Sequence, residues 1–228
     1  MRSFRRDGSI ADFQTFNREV YGLLDDRLYS IWDLLAQVQR FGMRALKGIR
    51  KENKEKLKKN LLISFSFLTA IASRLHIDVE EEAWKRFPML CSYCGKKPCS
   101  CKKIKLNKRK KVKINARLRP KNLAEFQNMF NMIYPATSRT LPDAGVHFAE
   151  EIGEVTEAVH NFSGQHQQKQ FEEIKFEIAD CVSCIFGVAN SADIDCAVGL
   201  AEIFSNNCHV CHKAPCVCGF SVIARAKT

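Results

Sequence analysis

The chain has 228 residues, enough for one large or two small domains with hydrophobic cores. Its apolar content is 46%, and no apolar run approaches the roughly 18 residues of a membrane-spanning helix, so the composition is typical of neither a disordered nor a membrane protein. The net charge of +11 is uneven: residues 1–120 carry 29 basic and 12 acidic side chains, a net +17, whereas residues 121–228 carry 7 and 13, a net −6. The two halves are therefore expected to have different roles.

The N-terminal residues show no apolar region of the kind found in secretory signals, and a cytoplasmic protein is predicted. Thiols stay reduced in the cytosol. Clustered cysteines in this chain are therefore interpreted as metal ligands rather than disulfides.

Apolar residues at helical spacing predict three helices in the first half, at about 26–47, 52–74 and 78–87. The second of these contains the most apolar stretch of the chain, 61–72, and is predicted to lie in the core. The break before it is strongly basic. Its eight cationic residues are Arg44, Lys47, Arg50, Lys51, Lys54, Lys56, Lys58 and Lys59.

A group of four cysteines follows, with the spacing C-x2-C-x4-C-x-C. Four thiolates complete a tetrahedral structural zinc site, and C-x2-C is a common ligand pair. Disulfides and an iron–sulfur cluster are the alternatives, since such clusters also accept four thiolates. The residues are Cys91, Cys94, Cys99 and Cys101.

The segment 102–119 holds ten Lys or Arg in 18 residues and has almost nothing to bury. It is interpreted either as a solvated linker or as a basic arm that binds nucleic acid through phosphates. No aromatic residue interrupts the run, so stacking on single-stranded bases is not predicted.

The second half repeats the helical pattern. Apolar residues at helical spacing run from Phe148 to Val159 and again from Phe171 to Ala189, with a predicted break at 161–165. A short helix at about 193–204 follows, with Asp193 as its expected N-cap. No segment alternates between polar and apolar residues as a half-buried strand does, so the fold class predicted is all-α.

A second cysteine group has the same spacing as the first, 117 residues later. Sliding the chain by 117 positions pairs 26–101 with 143–218 and gives 15 identities in 76 positions. Chance similarity of helices would not reproduce the cysteine spacing, so two copies of one unit are predicted. His209 and His212 have no counterparts in the first group and are interpreted as non-ligands. The second group is Cys208, Cys211, Cys216 and Cys218.

Two pairs of acidic residues carry the expected chemistry. Glu151 and Glu154 share one flank of a helix, and Glu177 and Asp180 share the equivalent flank of the next. If these helices pack antiparallel, four carboxylates converge and repel one another unless a divalent cation binds. All-oxygen ligands suit Mg²⁺ or Mn²⁺, and Mg²⁺ commonly binds carboxylates together with substrate phosphates. The alternative is a pair of solvated helix faces.

The motifs Glu150-Glu-Ile-Gly-Glu154 and Glu177-Ile-Ala-Asp180 resemble the E-E-x-x-E and E-x-x-D signature of the all-α NTP pyrophosphohydrolases, a superfamily that includes MazG, the dimeric dUTPases and the dCTP pyrophosphatases. The match covers about 140–204. The resemblance implies that a metal-activated water attacks a nucleoside triphosphate and releases a monophosphate and pyrophosphate. It further implies Glu151, Glu154, Glu177 and Asp180 as Mg²⁺ ligands and Glu150 as a residue that orients the water.

Two further residues lie near the implied site. His147 precedes Glu151 by one helical turn and could approach the substrate, although a surface histidine is the alternative. Cys184 stands where relatives often have an aromatic residue near the base, so the base specificity is not predicted. Cys181 lies on the apolar stripe and is interpreted as a core residue.

The first half lacks the acids. Leu34, Gln37, Asn60 and Ile63 occupy the four equivalent positions, so it is not expected to bind this metal. The resemblance implies sites formed between subunits, and the chain is therefore interpreted as a fused pseudo-dimer that could associate further as a homodimer. Lys54 and Lys58 are candidates to bind the substrate phosphates; the alternative is that the first half is only a scaffold.

The predicted organisation has five parts: a degenerate helical repeat at 1–90, a zinc module at 91–101, a basic linker at 102–119, a catalytic helical repeat at 120–207, and a second zinc module with a tail at 208–228. The leading hypothesis is a Mg²⁺-dependent NTP pyrophosphohydrolase with two structural zinc ions. The alternative is a zinc-containing protein that binds nucleic acid or senses nucleotides without turnover.

Overall fold

The computed structural model describes residues 3–101, 110 and 112–219, and this part of the chain is all-α, as predicted. Two short 3-10 turns lie at Ala116–Leu118 and Ala136–Ser138. The eight helices are α1 (Ile10–Leu28), α2 (Ile31–Arg50), α3 (Lys54–Arg74), α4 (Val79–Arg86), α5 (Leu123–Ile133), α6 (Leu141–Gln165), α7 (Gln168–Ser191) and α8 (Cys196–Ile203).

Three predicted helix boundaries are wrong because local capping decides them. The helix predicted at 26–47 begins at Ile31, since the Ser30 side chain accepts a hydrogen bond from the Asp33 amide and forms a capping box. Residues 26–28 belong instead to α1. The break predicted at 161–165 is helical, and α6 ends at Gln165, followed by the C-cap residue His166 in the left-handed conformation with φ 53°. Gly164, which was part of the predicted break, therefore lies within α6.

The N-cap of α8 is Asp195 rather than Asp193. The Asp195 side chain accepts a hydrogen bond from the Val198 amide, whereas Asp193 adopts a left-handed turn with φ 51°. Asp78 caps α4 in the same way, through the Glu81 amide. Residues 76 and 193, which are 117 positions apart, both have positive φ.

The two halves have the same helix order and the same stabilising contacts. The Gln14 amide donates to the Ile77 carbonyl at 2.7 Å and accepts from the Val79 amide at 3.1 Å. Gln127 does the same with Ile194 at 2.7 Å and Cys196 at 2.9 Å. The bend between the third and fourth helices is 99° in the first half and 100° in the second.

The halves interlock around a central bundle. The hairpins α2–α3 and α6–α7 pack together, with α2 against α6. A Cβ atom on Gly42 would meet the end of the Ile152 side chain, so glycine lets α2 and α6 approach here without a shift of that side chain. Each short helix packs against the third helix of the other half, α4 on α7 and α8 on α3. This exchange brings side chains of the first half to the acidic residues of the second.

The stretch 61–72 lies in α3 and is mostly buried, as predicted. In the described part of the chain, no single helix is both long and apolar enough to cross a membrane; only the sharply bent pairs α3–α4 and α7–α8, each taken as one segment, reach the required length and composition.

Most of the basic segment predicted at 102–119 lies outside the described residues, because 102–109 and 111 are not among them. Its C-terminal end is described: the Arg119 guanidinium pairs with Glu80 at 3.4 Å and with Glu81 on α4. The predicted tail at 220–228 also lies outside the described residues.

Candidate functional site

The antiparallel hairpin α6–α7 brings acidic side chains of the two predicted motifs together. Carboxylate oxygens of Glu151, Glu177 and Asp180 all lie within 4.8 Å of one another. Glu154, one turn after Glu151, is exposed at the edge of this group of three, and its charge acts on Glu177. Glu150 is exposed on α6 beside this cluster. We refer to Glu151, Glu154, Glu177 and Asp180 as the acidic cluster.

Burial and mutual repulsion disfavour the ionised forms of Glu151, Glu177 and Asp180. Burial, followed by the charge of Asp180, raises the pKa of Glu151 from its ordinary 4.5 to about 8. The same causes raise the pKa of Glu177 to about 7. Burial also raises the pKa of Asp180, although the neighbouring Arg86 opposes the shift.

The acidic cluster has unsatisfied oxygens. Within the described part of the chain, one carboxylate oxygen of Glu151 and one of Glu177 are buried without a hydrogen-bond partner. Buried polar atoms are normally paired, so these two are missing a donor or a cation. The donor set consists only of oxygens, which are the ligands of hard divalent cations. These residues therefore fit a divalent cation that is chelated between α6 and α7.

A cationic residue of the first half, Arg86, forms an ion pair with Asp180 of this cluster. Its Nε lies 3.0 Å from one Asp180 oxygen, and its Nη2 donates to the other, so the pair is bidentate. Both side chains are nearly buried, at 10% and 15% exposure. The guanidinium also stacks over the Phe176 ring, 4.8 Å from its centroid. The sequence pattern did not indicate Arg86, because only the packing of α4 on α7 brings it to an acid 94 positions away.

Lys54 and Lys58, the predicted cations of the first half, lie elsewhere. Lys54 pairs with Asp193 at 3.6 Å, and Lys58 pairs with Glu202 at 2.8 Å. Neither lines the cavity beside the acidic cluster. The physical reason is that the N-terminal end of α3 packs against the α8 end of the second half, whereas α4 packs near the acids.

A cavity of about 520 Å³ opens beside the acidic cluster, and Glu151 and Asp180 line it. The predicted residues His147 and Cys184 also line this cavity. Burial raises the pKa of the Cys184 thiol, and the Glu151 charge adds to this shift, so the thiol stays protonated at neutral pH. Cys181, as interpreted from the sequence, is a fully buried core residue.

Arg139 is a second lining residue that the sequence pattern did not indicate. A Cβ atom on Gly187 would lie 2.8 Å from the Arg139 guanidinium, so glycine at 187 provides its place. Arg139 Nη2 donates to the Tyr134 carbonyl at 3.3 Å, while its buried Nε has no partner among the described residues. Burial lowers the pKa of Arg139. The Arg139 guanidinium therefore lines the cavity as a cation that can donate a further hydrogen bond.

The two cysteine groups form compact clusters that could each hold a metal ion, and we refer to them as the first cysteine module (91–101) and the second cysteine module (208–218). In the first cysteine module, the Cys91 and Cys101 sulfurs lie 3.7 Å apart, and the Cys94 and Cys99 sulfurs 3.8 Å apart. Both equivalent pairs of the second cysteine module are 3.8 Å apart. Four sulfurs about 2.3 Å from one zinc ion are about 3.8 Å apart at the edges of the tetrahedron, whereas disulfide sulfurs are about 2 Å apart.

All eleven cysteines are free thiols in the structure. An iron–sulfur cluster would place several atoms between its thiolates and hold them farther apart than a single tetrahedral ion does. The histidines of the second cysteine module have other positions: His209 Nδ1 lies 3.1 Å from the Tyr21 hydroxyl, and His212 is exposed at a turn with φ 53°. The sulfur geometry of both modules is thus compatible with zinc.

Comparison with family models, curated proteins and solved structures found no match to this chain.

Proposed function

We propose that this protein is a Mg²⁺- or Mn²⁺-dependent nucleoside triphosphate pyrophosphohydrolase. The observation that carries the proposal is the convergence of Glu151, Glu177 and Asp180 beside a cavity of about 520 Å³ that Arg139 also lines. Carboxylates that chelate a divalent cation next to cationic side chains form the arrangement that binds a triphosphate. Hydrolysis between the α- and β-phosphates would give a nucleoside monophosphate and pyrophosphate.

Glu151, Glu154, Glu177 and Asp180 would hold the cation. When bound, it would neutralise the carboxylates and the phosphates and lower the pKa of a water molecule. Glu150, exposed beside the cluster, would orient that water. Arg86 neutralises Asp180 through the bidentate pair, and its guanidinium would supply positive charge beside the bound triphosphate.

The two halves are proposed to be diverged copies of one duplicated unit that now form a pseudo-dimer. Their shared helix order, equal bend angles and equivalent glutamine contacts support this origin. The first half lost its acids, but it supplies Arg86 to the acidic cluster. Each cysteine module is proposed to hold one structural zinc ion, so the complete protein would contain two.

Purified protein incubated with each NTP and dNTP in the presence of Mg²⁺ is expected to release pyrophosphate and a monophosphate from at least one of them. The assay measures pyrophosphate enzymatically and identifies the nucleotide product by chromatography, and a reaction without Mg²⁺ is the blank. Release of inorganic phosphate instead of pyrophosphate would contradict the proposal. Nucleotide binding without turnover would also contradict the proposal, and it would favour the alternative that the protein senses nucleotides.

Added Mg²⁺ is expected to stabilise the protein strongly at pH 8 and weakly at pH 5.5. Because the pKa of Glu151 is raised in the folded state, its contribution to stability is complete below about pH 4.5 and is lost as the pH rises through about 8. A bound cation compensates for the ionised carboxylates, and protons compete with it at low pH. At 100 times its Kd, Mg²⁺ contributes about 2.7 kcal/mol, or about 5–10 °C in Tm for a chain of this size.

Thermal unfolding of Mg²⁺-free protein, with and without added Mg²⁺ at both pH values, tests this expectation. The Glu151→Gln variant is measured in the same way. It is expected to lose most of the Mg²⁺ response and to show a flatter dependence of Tm on pH, because it lacks the carboxylate whose pKa is raised. An equal Mg²⁺ response at the two pH values would show that the cation does not bind the acidic cluster.

A further inference from the structure

The first cysteine module forms part of the lining of the cavity beside the acidic cluster, and we call this part of the lining the wall. Besides Glu151 and Asp180, the cavity is lined by four residues of the first cysteine module, namely Ser92, Cys99, Ser100 and Cys101. The module belongs to the first half of the chain, and the acids belong to the second. The structure therefore places a metal-binding module of one half over the candidate substrate cavity of the other.

Direct contacts hold the first cysteine module in this place. The Cys99 amide donates to the Ile133 carbonyl at the end of α5 at 2.8 Å, and the Tyr134 hydroxyl donates to the Cys91 sulfur at 3.4 Å. Phe87, just before the module, packs edge-on against Phe130 and Tyr134, with ring centroids 5.2 and 6.1 Å apart. The position of the wall thus depends on the folded module and on α5.

The second cysteine module makes equivalent contacts in the first half, but among the described residues it faces no comparable space. The Cys216 amide donates to the Val20 carbonyl at 2.7 Å, and His209 contacts the Tyr21 hydroxyl. The cavity between this module and the described part of the first half is only about 30 Å³. Phe41 and Phe67 line it with rings stacked 5.7 Å apart. The first module therefore faces an open cavity that contains several polar and charged groups, whereas the second faces a filled apolar one.

The open cavity has the size and polarity of a small-molecule site. Its volume of about 520 Å³ lies within the usual range for such sites, roughly 300–1,000 Å³. If Glu151 and Asp180 hold the cation that binds the phosphates, the hydroxyls of Ser92 and Ser100 are available to the nucleoside. A serine hydroxyl can both donate and accept hydrogen bonds, which suits the edge of a base or a sugar.

We propose that the first cysteine module is the nucleoside-recognition wall of this site, with Ser92 and Ser100 as its specificity-determining residues. The second cysteine module is only structural. The inference rests on the proposed function, since it assigns the nucleoside of the triphosphate to one wall of the same cavity.

An exchange of side chains between the two modules tests this inference. Ser92→His with Ser100→Val gives the first module the residues found at the equivalent positions of the second, while all eight cysteines remain. The matched control makes the reverse exchange, His209→Ser with Val217→Ser. Zinc content, KM and kcat for each NTP and dNTP, and the Kd of a non-hydrolysable α,β-imido triphosphate with Mg²⁺ are measured for both variants and for the unaltered protein.

The first exchange is expected to raise KM and Kd about 10-fold or more, or to change which nucleotide is preferred, with zinc retained. The control is expected to match the unaltered protein. Because Ser92→His adds bulk, Ser100→Ala is measured as well and is expected to weaken binding without loss of zinc. Unaltered nucleotide preference and Kd in both the double variant and Ser100→Ala would overturn the inference while the proposed function stands. If the unaltered protein neither binds nor hydrolyses any nucleotide, the proposed function fails and the inference fails with it.

Discussion

The Glu177→Gln variant is expected to lose about 10²–10³-fold in kcat/KM for NTP hydrolysis and to gain thermal stability in the absence of Mg²⁺. The activity falls because a neutral amide replaces a carboxylate that chelates the cation, and a bound cation stabilises transition-state charge by several kcal/mol, with about 1.4 kcal/mol for each tenfold change in rate. The stability rises because the substitution removes one of the mutually repelling buried carboxylates.

The combination of lower activity and higher stability distinguishes a site residue from a structural one, since loss of a structural residue lowers both. The matched control is Glu157→Gln, which makes the same change of charge at a position one turn after Glu154 on α6 that does not line the cavity. It is expected to retain activity and Tm. Steady-state kinetics and thermal unfolding of both variants provide the measurement. A Glu177→Gln variant with unchanged kcat/KM would falsify the assignment of the acidic cluster.

The Cys216→Ser variant is expected to bind about one zinc ion per chain instead of two and to unfold at a Tm more than about 10 °C lower. Structural zinc sites in small peptides contribute about 10–16 kcal/mol at neutral pH, which is comparable to the whole stability of a typical domain. Cys216 is buried, and its amide also anchors the module to α1 through Val20. Loss of one thiolate would therefore release the metal and loosen the module that this amide anchors to α1.

Metal analysis by mass spectrometry and thermal unfolding measure the two effects. Cys184→Ser provides the matched control, because this thiol is largely buried but lies outside both modules. It is expected to retain about two zinc ions. If folded protein contains no zinc, or if Cys216→Ser retains both ions, the cysteine modules are not zinc sites.

Much of the local structure was predictable from the chain alone. The spacing of apolar residues placed α3 and α7, because a buried helix face repeats every three to four residues. Helix ends were less predictable. Ser30 and Asp195 were not identified as caps, since capping depends on which of several nearby side chains faces the free amides once the turn has formed.

The acidic cluster was partly predictable for the same reason. Glu151 and Glu154 share a flank of one helix whatever that helix packs against, and Glu177 and Asp180 share a flank of the next. A short connection between successive helices then favours an antiparallel pair, which brings these flanks together. The cysteine modules were predictable because their ligands lie within 11 residues of one another, so their geometry depends on the local chain.

The cations and the cavity wall required the tertiary structure. Arg86 contacts Asp180, and Ser92 and Ser100 face the cavity, because the chain exchanges its short helices and cysteine modules between the halves. No spacing in the sequence encodes that exchange. It depends on which surfaces of the two halves fit together. For that reason the sequence predicted Lys54 and Lys58, rather than Arg86, as the cations that the first half contributes to the site.

The uneven charge of the chain, +17 in one half and −6 in the other, is a property of the sequence alone. The sequence also determined which half has the acids and which positions have the thiols, because ligand chemistry depends on residue identity. Only the tertiary structure decided that one cation of the basic half, Arg86, reaches those acids, and that one cysteine module faces an open cavity while the other faces a filled one. The physical reason is that contacts between distant residues depend on how the apolar faces of the helices pack, and many arrangements of the same helices satisfy the same sequence pattern.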